Sequence, residues 1–547
     1  MEAVVLMMRR RDFVAAAAAG AGSLACRRKR LSLPFEVGFL GPSVELGHRL
    51  RFGELKEPSS FEPIDVVILG GGVSGLSAAW RLRGEGFTNF VLCEMEPEVG
   101  GTSRGGRNGV SGYPWGAHYI PAPTRENPAL VRLLKEFGLV EGSDAKGDPV
   151  FLEQALIRAP EDRVFAYGQW WEGLYLRAGA TPQDEAEYQA FFAEMDKWAS
   201  WRDFAGRKAF AIPRARGSDA PEIQALDRQS FAQWLERKNF RSERLRWLLE
   251  YACRDDYGTT LETTSAWAGI FYFAARKTGH GEESSPLLSW PEGNGWLVDR
   301  FKQPVQDKIH TSTVAISIRR ATEGVLLVQA WDEARHKPVG WQAKRVIFAL
   351  PQFLAQRLIP SLWSERPEGL ESFTQSPWLV VNVTLRDRPK ERKGGFPLAW
   401  DNVIRDSSSL GYVVATHQSL RDHGPTVFTW YCPFTGPDPA QERERMLAMD
   451  PKACAEMVLA DLQRVHPGIE TLITRMDIIR WGHAMIRPRP GFCWSEALQR
   501  ARQPFQGVHF AHTDLSGIAL FEESLDHGVR AAEEVLAGLG RPSATWR

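Results

Sequence analysis

The chain has little cysteine. Six residues, Cys26, Cys93, Cys253, Cys432, Cys454 and Cys493, are scattered over 547 positions with no CxxC pair and no zinc-like spacing. That distribution excludes a disulfide framework and a structural metal. An excess of one charge is also missing. Lys+Arg and Asp+Glu each total 67, which speaks against a nucleic-acid binder. No apolar run reaches the ~18–20 residues that span a bilayer. There is no internal repeat and no long low-complexity segment. Tryptophan is plentiful instead, with 20 residues. Large flat side chains line ligand pockets as well as cores, and core packing accounts for most of them. The length exceeds what one core serves, so two intimately connected domains are expected.

The first residues read as an address. Arg9-Arg10-Arg11-Asp12-Phe13-Val14 precedes an Ala-rich stretch from Val14 to Cys26. This resembles a twin-arginine signal, which implies export of a folded protein through the twin-arginine machinery to the periplasm. The alternative is a basic leader without a role and a cytoplasmic chain. Ser23-Leu24-Ala25-Cys26 departs from a lipoprotein cleavage site. Its Leu is one position late and Arg27-Arg28-Lys29-Arg30 follows.

Residues 27–61 read as a linker or N-terminal arm. Order begins at Ile64-Asp65-Val66-Val67-Ile68-Leu69, a run suited to a buried parallel strand. A glycine turn, the helical stretch Leu76–Leu82 and a second strand, Phe90-Val91-Leu92-Cys93, complete a βαβ unit. From about 125 to 295 the spacing predicts helices, including Asn127–Leu139 and Ser230–Leu248. Strands return near 312–316, 324–328 and 345–349, then at Trp378–Leu385 and Gly411–Ala415. A strand at Val508–Ala511 and a helix near Leu525–Leu536 close the chain.

Gly70-Gly71-Gly72-Val73-Ser74-Gly75 satisfies GxGxxG between the first strand and its helix. Gly70 permits the tight turn, Gly72 lets backbone approach a pyrophosphate at the helix N-terminus, and Gly75 allows close packing. Glu94 ends the second strand, where an acid accepts hydrogen bonds from a ribose. With no basic residue beside it, a 2′-phosphorylated ribose is disfavoured. The motif serves FAD and NAD alike.

Val99-Gly100-Gly101-Thr102-Ser103-Arg104 separates the two. From Ile64 to Ile120 the chain resembles the flavin-containing amine oxidase superfamily. That superfamily includes monoamine and polyamine oxidases, phytoene desaturases and protoporphyrinogen oxidases. The resemblance implies FAD as cofactor. It places Gly100, Gly101, Thr102 and Arg104 on the flavin's phosphates and ribityl chain, and Trp115-Gly116-Ala117-His118 beside the isoalloxazine. Later landmarks keep the family's order. Gly293-Asn294-Gly295-Trp296 resembles its glycine turn, Val314 its adenine contact, and Ala349-Leu350-Pro351 its strand end. Phe510-Ala511-His512-Thr513-Asp514 resembles the segment whose acid, Asp514, meets the ribityl chain, with His512 in place of the usual Gly. Phe521 and Glu522 open the helix that faces the flavin O2 position. The implied fold is α/β: a Rossmann-type FAD-binding domain (62–125, 293–351 and 478–540) with a second, mixed α+β substrate domain (126–292 and 352–477).

The family's amine oxidases keep a Lys on a strand after the Ala-x-Pro landmark. The matching strand, Trp378–Leu385, has none, and Asn382 is the polar candidate in its place. Trp481-Gly482-His483-Ala484 with Pro490-Gly491 resembles the desaturase-like members. His483 is a candidate acid or base, although a packed histidine is the preferred reading. Cys493 lies where some relatives attach flavin covalently, but its neighbours do not match, so a buried free thiol is preferred. Asp255-Asp256 either attract a cationic amine or form a solvated turn before Gly258, and the turn is preferred. Trp170-Trp171, Tyr257, Trp267, Phe271-Tyr272-Phe273 and Trp430-Tyr431 are available to a pocket. The leading reading is an FAD-dependent oxidoreductase that takes a hydride from a small amine to flavin N5 and passes electrons to oxygen or to a membrane or periplasmic acceptor. The alternatives are a desaturase or dehydrogenase of an apolar or porphyrin-type substrate, or a flavin-binding accessory protein without turnover.

Overall fold

The computed structural model describes residues 33–277, 285–365, 369–391 and 395–547. The arginine-rich leader and Cys26, on which the export reading rests, lie outside the described residues. Among the described residues no helix is long and apolar enough to cross a membrane.

The described chain opens with strand β1 (Glu36–Gly41) and helix α1 (Val44–Phe52), capped by the Ser43 side chain. This corrects the reading of 27–61 as linker or arm. β1 pairs in parallel with residues 475–479, near the other end of the chain. As a half-covered edge strand it has no alternation that would betray it in sequence.

Next come β2 (Glu62–Leu69), α2 (Val73–Gly84) and β3 (Phe90–Cys93). Val66 through Leu69 are fully buried, as expected of a parallel strand covered on both faces. β4 (Asp162–Ala166) and β5 (Gln169–Glu172) form a hairpin. Helices α3 (Pro182–Ser200), α4 (Glu243–Tyr257) and α5 (Ala266–Ala274) follow. The helical stretch expected over Ser230–Leu248 is broken into Phe231–Arg237 and α4, with Asn239 between them at φ 62°. The chain then runs through β6 (Ile309–His310), β7 (Thr313–Thr322), β8 (Val325–Asp332) and β9 (Lys337–Phe348). β10 (Gln375–Leu385), β11 (Asp401–Ile404), β12 (Gly411–Val414) and β13 (Thr426–Pro433) precede helix α6 (Pro439–Leu447). β14 (Ile473–Ile486), β15 (Val508–Phe510) and α7 (Phe521–Gly538) close the fold.

These strands make two large sheets. The first has the order β6-β3-β2-β9-β8-β7, with β15 also on β9. β2, β3, β6, β15 and the second half of β9 run parallel, while β7, β8 and the first half of β9 form an antiparallel meander. α7 packs along α2 against this sheet, which is the α/β, Rossmann-type arrangement. The second sheet has eight strands in the order β1-β14-β10-β13-β12-β11-β4-β5. Because β14 runs to Ile486, the boundary expected at residue 478 falls inside a strand of this second sheet. The first sheet resumes only at β15. Helices α3 to α5 share a separate apolar core, built around Phe191, Phe231, Leu249 and Trp267.

Candidate functional site

At the C-terminal end of β2 the chain turns through three glycines into α2. Gly70 sits at φ +101°, where a side chain is strained. A Cβ on Gly75 would lie 1.8 Å from the Gly70 carbonyl oxygen, so only glycine lets the helix pack this closely on the turn. A Cβ on Gly72 would meet no protein atom within 4 Å, and Gly72 lines a cavity. α2 starts without a side-chain cap, which leaves its first N–H groups for an anion. Gly100 N donates to Gly71 O at 2.8 Å and so brings the second glycine pair beside the first.

The cavity measures about 1520 Å³, more than the ~300–1,000 Å³ of an ordinary ligand pocket. Glu94 stands at its edge, accepting from Gly71 N at 2.7 Å and Glu96 N at 2.9 Å. Burial pushes its carboxyl up to about 6 in spite of these bonds. The Arg104 guanidinium lies 3.9 Å above the Trp115 ring. Its Nε is 3.4 Å from Glu98 but buried without a hydrogen bond, and the Ser74 hydroxyl is likewise unpartnered. At the far end Phe521 and Glu522 open α7, which also lacks a side-chain cap. Burial pushes Glu522 up to about 7. An uncapped helix start, an open glycine, a carboxylate, and two buried polar atoms in want of partners fit FAD.

Of the residues that the resemblance places on FAD, all line this cavity except Gly75, Trp115, Val314 and Asp514. Gly75 and Trp115 act from behind, through helix packing and the Arg104 stack. Val314 is sealed among Leu46, Leu55 and Trp331, because α1 covers the position that sequence assigns to adenine. Asp514 is buried one layer back and accepts from Gln352 N at 2.8 Å and Gln375 Nε2 at 3.1 Å. Its neighbours His512 and Thr513 line the cavity in its place.

The two catalytic candidates fare differently from expectation. Asn382 is fully buried, donating to Pro114 O at 3.1 Å and accepting from Thr429 at 2.7 Å. It pins a strand to the sheet, whereas Gln375, Trp378 and Val380 are the β10 residues on the cavity. His483 does line the cavity, stacked 4.1 Å from Phe353. Burial, with Arg443 beside it, depresses the imidazole to about 3, so it is uncharged near neutral pH. Cys493 is a buried free thiol.

A second chamber of about 910 Å³ adjoins the first and shares His118, Tyr119, Asp255 and Arg276 with it. Sequence reasoning missed most of it. Five carboxylates line it: Glu161, Asp162, Glu172, Asp255 and Asp401. Of its two arginines, Arg177 pairs with Glu185, and Arg276 Nη2 donates to both carboxylate oxygens of Asp256 at 2.7 and 2.9 Å. The walls are aromatic and include Trp171, Tyr251, Tyr272 and Trp400. Asp162 and Asp401 are direct partners on the parallel strands β4 and β11, an arrangement that like charges disfavour. Burial pushes Asp162 up to about 6 and Asp401 well above the carboxylate range. Asp401 accepts from the Tyr251 hydroxyl at 3.0 Å. Asp255 and Asp256 lie in the last turn of α4, Asp255 against this chamber and Asp256 against the first cavity, so the solvated turn preferred from sequence is overturned. Helix packing buries Asp256 and half-buries Asp255, and a turn exposed to water would not. At the junction His118 stacks on Tyr431 with centroids 4.9 Å apart, and burial depresses it to about 4. No lysine lines either cavity among the described residues.

Residues 73–536 match the family model described as flavin containing amine oxidoreductase. The chain is 22% identical over 525 residues to the oxidoreductase PigB of Serratia sp. (strain ATCC 39006), covering 87% of this chain and 75% of that protein. A variant of putrescine oxidase superposes with a TM-score of 0.65 at 17% identity, covering 88% of this chain and all of the other. Cyclohexylamine oxidase from Brevibacterium oxydans IH-35A superposes with a TM-score of 0.61 at 16% identity over the same shares.

Proposed function

The chain belongs to the flavin containing amine oxidoreductase family, and from that premise we propose that this FAD-dependent oxidoreductase oxidises a small cationic amine. One observation carries the reading: a chamber with five carboxylates and aromatic walls that adjoins the dinucleotide cavity and shares His118, Tyr119, Asp255 and Arg276 with it. A low-dielectric cavity rich in carboxylates attracts a cation, and aromatic faces add to that attraction. When bound, FAD supplies the two-electron acceptor, taking a hydride at N5 from the carbon beside the amine nitrogen.

The chain's own residues do the rest. Gly70 to Gly75, Gly100, Gly101 and Arg104 would hold the diphosphate, Glu94 the ribose, and the start of α7 the pyrimidine edge. The acids of the chamber draw in the ammonium. Neutral His118 and the rings of Tyr431 and Trp400 present an apolar surface at the junction and exclude water from it. Among the described residues no lysine lines either cavity, which favours an electron acceptor other than oxygen. The leader supports export through the twin-arginine route. Substituting Lys for Arg10 and Arg11 should leave the protein in the cytoplasm.

Steady-state assays with a panel of primary amines, a porphyrinogen and an isoprenoid, each with oxygen and with an artificial acceptor, test the reading. Turnover of amines supports it. Turnover of the porphyrinogen or isoprenoid alone would move the assignment to the desaturase class.

A further inference from the structure

The geometry points to Asp255 as the group that takes the proton from the bound ammonium before oxidation. The inference rests on the amine reading above and adds to it the residue that makes the nitrogen reactive.

Asp255 sits in the last turn of α4 and is the one carboxylate that lines both cavities among the described residues. Its neighbour Asp256 is committed to Arg276, whereas Asp255 has no ion pair of its own among the described residues. It therefore stands without a counter-charge of its own in the wall that the acidic chamber shares with the dinucleotide cavity.

The surroundings set its proton affinity. On its own helix Asp256 repels its charge and Tyr251 lies nearby. From the end of α5 Arg276 opposes that repulsion, with Tyr272 beside it. The Tyr119 hydroxyl faces both carboxylates and favours their ionised forms by hydrogen bonding. Asp401 and Tyr431 approach from the second sheet. Burial, followed by Asp256, pushes Asp255 up to about 7. In neutral solution a large part of it is ionised and able to accept a proton.

The step balances. The ammonium R–CH2–NH3+ gives one proton to the Asp255 carboxylate, an N–H bond breaking as an O–H bond forms, with no electron transferred. The neutral amine has a lone pair that stabilises departure of hydride from the adjacent carbon, giving R–CH=NH2+. The hydride and its two electrons go to FAD. After product leaves, Asp255 returns its proton to water in the acidic chamber. A protonated amine has no lone pair to offer, so this transfer gates the reaction.

The test uses the FAD-loaded protein and the variants Asp255→Asn and Asp255→Glu, with flavin content and melting temperature checked first. Anaerobic flavin reduction by an alkylamine is followed against pH. In the wild type the limiting rate should rise to a plateau above about pH 7. In Asp255→Asn it should be about 10²–10³-fold lower at pH 7 and keep rising toward the amine's own pKa, and Asp255→Glu should restore most of it. Trifluoroethylamine, already neutral at pH 7, should lose less than about threefold. A non-redox readout is infrared difference spectroscopy with tert-butylamine, which lacks the oxidisable C–H. Binding should convert a carboxylate band to a carboxylic-acid C=O band, absent in Asp255→Asn. Equal losses for both amines at every pH, or no loss, would overturn the assignment. A wild type that no amine reduces would instead remove the amine reading beneath it.

Discussion

Asp162 offers a quantitative test of the acidic chamber. It faces Asp401 across neighbouring parallel strands. Burial, with Glu161 and Glu172 adding to it, moves the Asp162 carboxyl from 3.8 to about 6. Burial also pushes Asp401 well above the usual carboxylate range. At about 1.4 kcal/mol for each tenfold change in acidity, the displacement corresponds to about 3 kcal/mol between the two forms of Asp162. Water at the chamber mouth screens part of this, leaving about 2–3 kcal/mol. The folded state binds this proton more tightly than the unfolded chain. The stabilisation is therefore complete below pH 3.8 and is lost as pH rises through about 6. Asp162→Asn removes the dependence. Urea unfolding of both FAD-loaded proteins at steps from pH 4 to pH 7 should show the variant gaining about 2–3 kcal/mol on the wild type across that window. A saturating cationic amine should shrink the gain by pairing with the carboxylate. A difference that stays constant with pH would refute the reasoning.

Three further outcomes follow from the same geometry. Gly75→Ala places a Cβ 1.8 Å from the Gly70 carbonyl. It should cost about 1–3 kcal/mol or more and lower the ratio of flavin to protein absorbance after purification. Arg276→Met leaves Asp256 buried without its partner and should cost about 3–5 kcal/mol by denaturant unfolding, whereas a loss under about 1 kcal/mol would contradict the ion pair. His483→Asn should leave the pH profile of flavin reduction unmoved, since burial keeps that imidazole neutral near neutral pH, and a lost ionisation would show otherwise.

The sequence discloses the parts of the site that are local in the chain. The glycine turn, the acid at the end of β3 and the second glycine pair lie within residues 70–104, and their spacing reports the backbone geometry directly. The acidic chamber was not legible. Its walls come from residues as far apart as 118 and 401, and only folding makes neighbours of Asp162 and Asp401. Asp255 and Asp256 carry no local mark that separates a helix end packed over a cavity from a turn in water. Asn382 misled for a related reason. The strand was right and the face was right, but the cavity ends at Val380 and the next polar residue holds β10 to Pro114. The N-terminal segment was missed because β1 finds its partner at residues 475–479 and α1 buries only Leu46 fully. That helix then covers Val314, which the resemblance had placed on the cofactor.

The most direct test is rapid anaerobic mixing of the FAD-loaded protein with an alkylamine and, separately, with the alcohol of the same carbon skeleton. The account predicts saturable bleaching of the flavin by the amine and none by the alcohol, with the amine's apparent affinity weakened at high salt. Bleaching that ignores the nitrogen, or that only an uncharged apolar substrate produces, would contradict it.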